Sequence, residues 1–321
     1  DKPDQYVENK CSMNKRILIA DHLHPAFKIE AEKLGYICDD LPLISRSETL
    51  EILKNYSGIA IRTKFQIDKE IIDAGINLKF IARAGAGMDN VDDQYAKSRN
   101  IACINAPEGN RDAVAEHVIA MLLSVLNNLR KADIEVRNGI WDREGNRGWE
   151  LKGRTIAIIG YGNTGQMLAR KLSGFEVKVI AYDKYKTGFS DQYTEEVSME
   201  QVVKQADILS FHIPLTFETK QLFNEEYLFH FRKPIIFLNA SRGEVVNTRA
   251  LLNGIRNGKI IAAGLDVLEV EKFPALGEQE WFNELRDAPN VVLSPHVAGW
   301  THESYRKISE VLAQKLKQIL L

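Results

Sequence analysis

Short apolar runs alternate with amphipathic stretches along the first third of the chain. Runs with the composition of β-strands cover residues 15–21, 58–62 and 78–83, and stretches with helical spacing cover residues 27–34 and 68–74. Strands that alternate with helices predict a parallel sheet joined by crossover helices. This first alternating unit ends near Pro107.

A long helix and a second alternating unit follow. Residues 112–128 carry a broad apolar stripe at helical spacing, whereas residues 137–150 are rich in Gly, Trp and charge, which is typical of a surface loop. Later strand-like runs cover residues 155–159, 177–182, 208–211, 234–239, 261–265 and 291–293, and a helix is predicted over 164–173. The final helical stretch, 302–320, has no evident partner in this unit, so we expect it to pack on the first.

A glycine-rich loop connects a strand to a helix in the second unit. It reads Gly160-Tyr161-Gly162-Asn163-Thr164-Gly165 and follows the apolar run 155–159 directly. The first glycine permits a tight turn, the second lets the backbone approach a pyrophosphate, and the third allows the helix to pack closely on the strand. The N–H groups and the dipole at the start of the helix favour phosphates. This context predicts a dinucleotide site.

Asp183 follows the next strand, and it bears on which dinucleotide binds. A carboxylate at this place accepts hydrogen bonds from the ribose hydroxyls of NAD and repels the extra phosphate of NADP. Lys184 and Lys186 are close in sequence and weaken that discrimination. We therefore expect NAD as the cofactor.

The fold class follows from these patterns. We predict two doubly wound parallel-sheet α/β domains, with a Rossmann NAD-binding domain inserted into a flavodoxin-like substrate domain. The substrate domain covers residues 13–108 and is completed by 300–321, and the NAD-binding domain covers 109–299. Residues 1–12 precede Met13 and are polar, so we interpret them as a disordered extension or the remnant of an expression tag.

The composition limits which binding partners and which cellular compartment we expect for the protein. The 321 residues suit two domains, and a formal net charge of -2 gives no reason to expect nucleic acid as a partner. Cys11, Cys38 and Cys103 form no C-x-x-C pair, so the sequence indicates no metal site and no disulfide framework, and we expect a cytoplasmic protein. No run approaches the roughly 20 apolar residues that span a bilayer, so no membrane is expected.

Three later segments, together with the glycine loop, resemble one enzyme family. They read Asn239-Ala240-Ser241-Arg242-Gly243, Gly264-Leu265-Asp266-Val267-Leu268-Glu269-Val270-Glu271 and Ser294-Pro295-His296-Val297-Ala298-Gly299. In this order they are similar to the D-isomer-specific 2-hydroxyacid dehydrogenases. The similarity extends over nearly the whole chain from Met13, including residues 83–90, and it is more specific than the glycine loop alone.

The resemblance implies a catalytic set of three residues. Oxidation of a secondary alcohol removes the hydroxyl proton while a hydride leaves, and an unperturbed histidine pKa of about 6.5 suits that proton transfer. His296 matches the proton-transferring histidine of the family, and Glu271 matches the carboxylate that pairs with it and raises its pKa. Arg242 matches the arginine that grips the substrate carboxylate. Glu269 is the alternative partner for His296, but the family spacing favours Glu271, and we interpret Glu269 as surface charge.

The resemblance also implies cofactor contacts outside the glycine loop and Asp183. They are Ile213 and Pro214 on the adenine side, Asp266 near the nicotinamide end, and Ala240, Ala298 and Gly299. His212 is assigned to packing next to Ile213. No catalytic role is given to His22, His24, His117, His230 or His302.

The first unit is expected to carry the substrate, a small 2-hydroxy or 2-oxo acid. Backbone N–H groups of residues 84–87, beginning with Ala84 and Gly85, are available to a carboxylate. Asn110 is a further expected substrate contact.

Three arginines bear on which acid is the substrate. Arg62, Arg83 and Arg143 stand where the D-3-phosphoglycerate dehydrogenases of this family carry arginines, and several guanidinium groups are the usual means of binding a phosphorylated substrate. This favours oxidation of 3-phosphoglycerate to 3-phosphohydroxypyruvate, the first step of serine biosynthesis. The resemblance implies that the loop with Trp141 meets a partner subunit, so we expect a homodimer, in which Arg143 could act across the interface. The alternative is that Arg62 and Arg143 are ordinary surface charges.

Other functions stay open. Trp300 replaces a run of small residues common in the phosphoglycerate enzymes, which keeps glyoxylate, hydroxypyruvate or an aliphatic 2-hydroxy acid as alternative substrates. The same fold also serves as an NADH-sensing transcriptional corepressor, and the catalytic set does not exclude that binding role. Formate dehydrogenase carries glutamine where Glu271 stands, which argues against it. Because the chain ends after its last helical stretch, we expect no C-terminal regulatory domain.

Overall fold

The computed structural model describes residues 15–319, so the interpretation of residues 1–12 lies outside the described residues. The chain divides into two units. One consists of the described residues up to Asn110 and those from His302 onward, and the other is Arg111–Thr301. Each unit contains an all-parallel sheet with helices in the connections, which confirms the predicted fold class.

The sheet of the first unit has five strands. They are β1 (Arg16–Ile19), β2 (Ile37–Asp40), β3 (Gly58–Ile61), β4 (Phe80–Arg83) and β5 (Ala102–Asn105). Their order in the sheet is β2-β1-β3-β4-β5. The hydrophobic pattern does not predict β2 and β5, because both lie at sheet edges, where few side chains are buried; Ile37 is exposed and Asp39 and Asp40 follow it.

The helices of the first unit connect these strands and cover the sheet. They are α1 (Pro25–Lys33), α2 (Arg46–Ile52), α3 (Lys69–Ala74), α4 (Asp93–Ser98), the start of α5 (Pro107–Leu126) and α12 (His302–Ile319). The C-terminal helix α12 buries Leu312 and Leu316 in one cluster with Phe27 of α1 and Phe80 of β4. The last segment of the chain thus completes the core of the first unit.

A buried carboxylate shapes the loop after β3. Asp21, just beyond β1, accepts hydrogen bonds through Oδ2 from the backbone N–H groups of Arg62, Thr63 and Lys64 at 3.1, 3.1 and 3.2 Å. Three converging donors satisfy a carboxylate that is only 9% exposed. The backbone that carries Arg62 is therefore fixed at the carboxyl end of the sheet.

The sheet of the second unit has seven strands. They are β6 (Thr155–Ile159), β7 (Lys178–Tyr182), β8 (Glu195–Glu196), β9 (Ile208–Phe211), β10 (Ile235–Asn239), β11 (Ile260–Leu265) and β12 (Val291–Leu293). Their order is β12-β11-β10-β9-β6-β7-β8. The order reverses between β6 and β9, and ligands of open α/β sheets bind beyond the carboxyl ends of the strands at such a point.

The helices of the second unit are the rest of α5, α6 (Leu129–Arg137), α7 (Asn163–Leu172), α8 (Met199–Gln205), α9 (Glu225–Phe229), α10 (Thr248–Arg256) and α11 (Phe282–Asp287). The predicted helix over 112–128 begins earlier, at Pro107, and ends where Asn128 adopts a left-handed conformation (φ 49°). No single helix within residues 15–319 is long and apolar enough to cross a membrane. Among these residues, only α5 and α6 taken together, with a 61° bend between them, meet the combined condition of length and composition.

We expect Leu312→Ala to destabilise the first unit. Leu312 is 0% exposed, so the truncation leaves a cavity and costs about 2–5 kcal/mol of unfolding free energy. Gln314→Ala on the exposed face of the same helix is the control, with an effect within about 0.5 kcal/mol. Urea denaturation measures both, and equal stabilities of the two variants would contradict the packing of α12 described above.

Candidate active site

The glycine loop joins β6 to α7, and its three glycines meet different surroundings. Gly160 has φ 92°, and a Cβ there would collide with the carbonyl oxygen of His212. A Cβ at Gly165 would collide with the carbonyl oxygen of Gly160, so the helix could not approach the strand. A Cβ at Gly162 would meet no atom within 4 Å. Gly160 and Gly165 thus serve packing, whereas Gly162 faces open space in which a phosphate could approach the backbone.

The start of α7 offers its backbone N–H groups. Gly162 is the N-cap, Asn163 and Thr164 begin the helix, and no side-chain hydrogen bond caps this end in the described part of the chain. Uncapped N–H groups and the helix dipole together make an anion site. The loop therefore fits the pyrophosphate of a dinucleotide.

Asp183 follows β7 and touches the glycine loop. Its Oδ2 accepts a hydrogen bond from Tyr161 N at 2.8 Å, and its Oδ1 accepts one from Tyr185 N at 2.9 Å. Each oxygen keeps a lone pair with which it could accept from a ribose hydroxyl. Lys186 donates to the carbonyl oxygen of Tyr161 at 3.1 Å, and Lys184 is paired with Glu218 at 2.7 Å.

His212 ties the segment after β9 to the glycine loop. Its ring nitrogens lie 2.9 Å from Ser210 Oγ and 3.0 Å from Thr164 Oγ1, and burial lowers its pKa to about 4. A neutral ring that bridges two hydroxyls has a packing role. The predicted adenine-side residues Ile213 and Pro214 follow it, at the point where the strand order reverses.

The turn that carries Arg242 is held by a buried side chain. Asn239, 0% exposed at the end of β10, accepts from Ser241 N and Ser241 Oγ at 3.0 and 2.7 Å and donates to the carbonyl oxygen of Arg242 at 3.0 Å. Gly243 lies against Leu268, where any Cβ would collide with the backbone. The guanidinium donates to the carbonyl oxygen of Ser241 at 2.7 Å. The half-buried Arg242, with Ala240 beside it in the turn, thus has a fixed backbone.

Asp266 organises the segment after β12. Its carboxylate, in a residue only 1% exposed, accepts from Val297 N at 2.9 Å, Ala298 N at 2.8 Å and Ser294 Oγ at 2.6 Å. Its carbonyl oxygen accepts from His296 N at 2.7 Å. The predicted cofactor residues Asp266, Ala298 and Gly299 therefore belong to one hydrogen-bonded loop.

His296 occupies an unusual backbone conformation within this loop. Its φ is 55°, in the left-handed region that non-glycine residues rarely adopt. Such strain persists only where the surroundings enforce it, and it is frequent at functional sites. Here the bonds from the backbone of residues 296–298 to Asp266 enforce it.

His296 and Glu271 form an ion pair. His296 Nδ1 donates to Glu271 Oε2 at 2.8 Å, and this hydrogen bond is the main cause of a raised His296 pKa. Burial and the positive charge of Arg242 oppose the rise, whereas Asp266 supports it. Nε2 of His296 has no hydrogen-bond partner among residues 15–319, which leaves that nitrogen to exchange a proton with a ligand. Glu269 instead accepts from Thr248 N at 2.7 Å and caps α10, so its interpretation as mere surface charge is wrong.

The first unit holds four of the predicted substrate residues near the ends of β3 and β4. The expectation for Ala84 and Gly85 is wrong as stated: Ala84 N donates to the carbonyl oxygen of Ile61 at 2.8 Å, and Gly85 N donates to that of Arg83 at 2.9 Å. The β3–β4 ladder continues past β4 through the N–H group of Ala84, and a tight turn back to Arg83 uses that of Gly85. Only the next residues of the loop, from Ala86 on, remain for the predicted contact with a carboxylate.

Arg62 and Arg83 lie at the ends of neighbouring strands and share a partner. Asn90 donates to the carbonyl oxygen of Arg62 at 2.9 Å and accepts from Arg83 Nε at 3.3 Å. Burial lowers the pKa of Arg62, and the nearby Asp21 and Tyr305 partly offset this decrease.

The two remaining predicted substrate residues differ in their surroundings. The Oδ1 atom of Asn110 is buried without a hydrogen-bond partner among the described residues, which fits a contact supplied by a ligand. Arg143 is exposed on the loop after α6, in the second unit, where Trp141 is 80% exposed.

Three residues that shape this site have no signal in the sequence. Asn239 and Ser294 belong to the family motifs but have no predicted role of their own. His117 lies within the predicted helix over 112–128, and no catalytic role is expected for it. The structure places His117 Nε2 2.8 Å from Ser294 Oγ and 3.5 Å from Asp266 Oδ1. His117 precedes Ser294 by 177 positions, so no local pattern could have joined them.

Comparisons with known proteins agree with this geometry. Residues 119–298 match the NAD binding domain of the D-isomer specific 2-hydroxyacid dehydrogenases. A hydroxypyruvate reductase of Thermotoga maritima is 33% identical over 299 residues, which cover 92% of this chain and 96% of the relative. A D-3-phosphoglycerate dehydrogenase of Archaeoglobus fulgidus is 34% identical over 278 residues, which cover 85% of this chain and 51% of that longer protein.

A solved structure of D-lactate dehydrogenase from Aquifex aeolicus, complexed with NAD and lactic acid, has a TM-score of 0.79 at 26% identity and covers 95% of each chain. Together with the matched NAD binding domain, this supports NAD as the cofactor.

We expect Gly162→Ala and Gly165→Ala to separate cofactor binding from folding. Gly162→Ala meets no protein atom, so the melting temperature should stay unchanged while NADH binding weakens about tenfold through lost phosphate contacts. Gly165→Ala pushes α7 from β6 and should lower the melting temperature. Thermal melts and NADH fluorescence titrations measure both effects, and unchanged NADH affinity in Gly162→Ala would count against the pyrophosphate site.

We expect Glu271→Gln to lower the pKa of His296. The raised pKa comes mainly from the Glu271 carboxylate, so its loss destabilises the imidazolium and moves the titration midpoint to lower pH. Titration of the His296 ring by NMR measures the shift. Glu269→Gln, two residues away and bonded to α10, is the matched control and should leave the midpoint in place.

Proposed function

This chain belongs to the D-isomer specific 2-hydroxyacid dehydrogenase family, and we propose that it interconverts 3-phosphoglycerate and 3-phosphohydroxypyruvate with NAD. The observation that carries the substrate assignment is the pair Arg62 and Arg83, at the ends of adjacent parallel strands and bridged by Asn90. Asn90 bonds the backbone carbonyl of Arg62 and the side chain of Arg83, and two guanidinium groups carried at adjacent strand ends suit a doubly charged phosphate.

The cofactor would lie along the carboxyl edge of the second sheet. Residues 160–165 would hold its pyrophosphate, and Asp183 its adenosine ribose. A bound cofactor would supply the hydride acceptor for oxidation of the alcohol carbon and the hydride donor for reduction of the ketone. The protein supplies the binding site and the proton transfer.

His296 moves the proton at Nε2. Its neutral ring takes the hydroxyl proton during oxidation, and the imidazolium donates it back during reduction. The hydrogen bond from Nδ1 to Glu271 fixes the tautomer that leaves Nε2 to the substrate. Since this bond raises the pKa of His296, the imidazolium needed for reduction persists to higher pH.

Arg242 orients the substrate. Its guanidinium, whose charge acts on His296, can grip the carboxylate and polarise the neighbouring carbonyl. Because Asn239 fixes the backbone of Arg242, little further conformational entropy is lost when the guanidinium binds the carboxylate.

Hydroxypyruvate is the second candidate substrate. The similarity to the hydroxypyruvate reductase extends over 96% of the length of that relative. The similarity to the phosphoglycerate dehydrogenase extends over only 51% of the length of that protein. The phosphate would distinguish the two, because the guanidinium groups of Arg62 and Arg83 can donate charge-assisted hydrogen bonds to a phosphate group that hydroxypyruvate lacks. Arg143 would contribute only through the expected homodimer.

We expect wild-type protein to reduce 3-phosphohydroxypyruvate with a higher kcat/KM than hydroxypyruvate or glyoxylate. Arg62→Gln should lower kcat/KM for the phosphorylated substrate about tenfold to a hundredfold, because a charge-assisted hydrogen bond is lost, and leave that for hydroxypyruvate nearly unchanged. Arg99→Ala, an exposed arginine on the same unit, is the control. NADH oxidation followed by absorbance gives each value.

Two outcomes would overturn parts of this proposal. If Arg62→Gln lowers kcat/KM equally for hydroxypyruvate, or if hydroxypyruvate is the better substrate of the wild type, the phosphate assignment is wrong. If His296→Ala keeps its turnover while still binding NADH, the proton-transfer role is wrong.

A further inference from the structure

A chain of hydrogen bonds runs from α5 to the loop that carries His296. Ser294 Oγ lies 2.6 Å from Asp266 Oδ1 and 2.8 Å from His117 Nε2. An ionised carboxylate can only accept, so the single hydroxyl proton of Ser294 points to Asp266. The oxygen of Ser294 must then accept from His117, which fixes the proton of His117 on Nε2.

We propose that His117 is a positioning residue for proton transfer at His296, acting through Ser294 and Asp266. The proposal rests on the proposed role of His296. The side chain of His117 is 26% exposed and that of Asp266 is 0% exposed, so the histidine closes one side of the buried carboxylate.

The connection to His296 is direct at the backbone. Asp266 accepts from Val297 N and Ala298 N, and its carbonyl oxygen accepts from His296 N. These bonds hold His296 at φ 55°. If Asp266 turns, the two residues after His296 lose their anchor and the strained backbone can relax. A ring misplaced by about 1 Å can cost on the order of a hundredfold in rate.

His117 limits how Asp266 can turn. Asp266 Oδ1 is shared by Ser294 Oγ and Val297 N, and Ser294 is itself held by His117. Without the donor on α5, the hydroxyl of Ser294 can rotate away from Oδ1. We therefore expect loss of His117 to lower kcat, because the geometry of proton transfer changes, and to weaken NADH binding by a smaller factor, because the glycine loop and Asp183 keep their places.

The test uses three replacements of His117 that differ in whether they offer a donor within reach of Ser294. His117→Phe keeps a ring but removes the donor, and kcat should fall about tenfold with an NADH Kd within about threefold of wild type. His117→Gln places an amide N–H near the former Nε2 position and should recover most of kcat. The asparagine side chain of His117→Asn is too short to reach Ser294, so this variant should keep the low kcat of His117→Phe. His230→Phe, an exposed histidine on the same unit, is the control.

A double-mutant cycle separates positioning from a general loss of structure. His117→Phe, Ser294→Ala and the double variant should show similar kcat values, because each breaks the same chain of bonds. Multiplying losses would show independent effects and overturn the proposal. So would a kcat of His117→Phe equal to that of wild type, or equal values for the Gln and Asn variants.

An NMR measurement is independent of turnover. In protein labelled with ¹⁵N-histidine, the ring of His117 should show its proton on Nε2, and the ring signals of His296 should shift in His117→Phe but not in His230→Phe. Unchanged His296 signals would overturn the proposal. If His296→Ala retains activity, the proposed function fails instead, and the NMR result still reports whether His117 positions the ring.

Discussion

Asp266 lies buried just after β11 and accepts hydrogen bonds from two N–H groups and one hydroxyl of the loop after β12. Hydrogen bonds to a charged group contribute about 1.5–3 kcal/mol each. The left-handed backbone of His296 costs of order 1–3 kcal/mol. The bonds together therefore outweigh the strain, and they also satisfy a carboxylate that would otherwise be costly to bury. The position of the proposed proton-transferring histidine depends on this arrangement.

The parallel sheet determines the positions of the other site residues in the second unit. Because all strands run the same way, the segments after β6, β7, β9, β10, β11 and β12 leave from one edge. The glycine loop, Asp183, Arg242 and His296 lie along that edge although 136 positions separate the first residue, Gly160, from the last. Buried polar side chains then fix the exact path of each segment: Asn239 does so for the turn at Arg242, as Asp266 does for His296.

Predictions from the sequence are confirmed where their physical cause lies within one short segment of the chain. The tight turn at Gly160 and the close packing at Gly165 follow from the absence of a Cβ, and they appear as expected from the motif. Expectations failed where a group finds a partner from elsewhere in the chain. Ala84 donates its N–H group to the carbonyl oxygen of Ile61 on β3, and Glu269 caps α10. A sequence shows which donors and acceptors exist, but their partners depend on how strands and helices are juxtaposed.

The sequence by itself determined the two parallel-sheet units and the family, because alternation of apolar runs and a series of short motifs are local properties. It also named Arg242, Glu271 and His296 as one set. Only the tertiary structure decided that Glu271 contacts the ring of His296 and that Asp266, Ser294 and His117 support it. Those contacts join β11, β12 and α5, and hydrogen bonds between residues so far apart in the chain arise only once the sheet has brought its strand ends together.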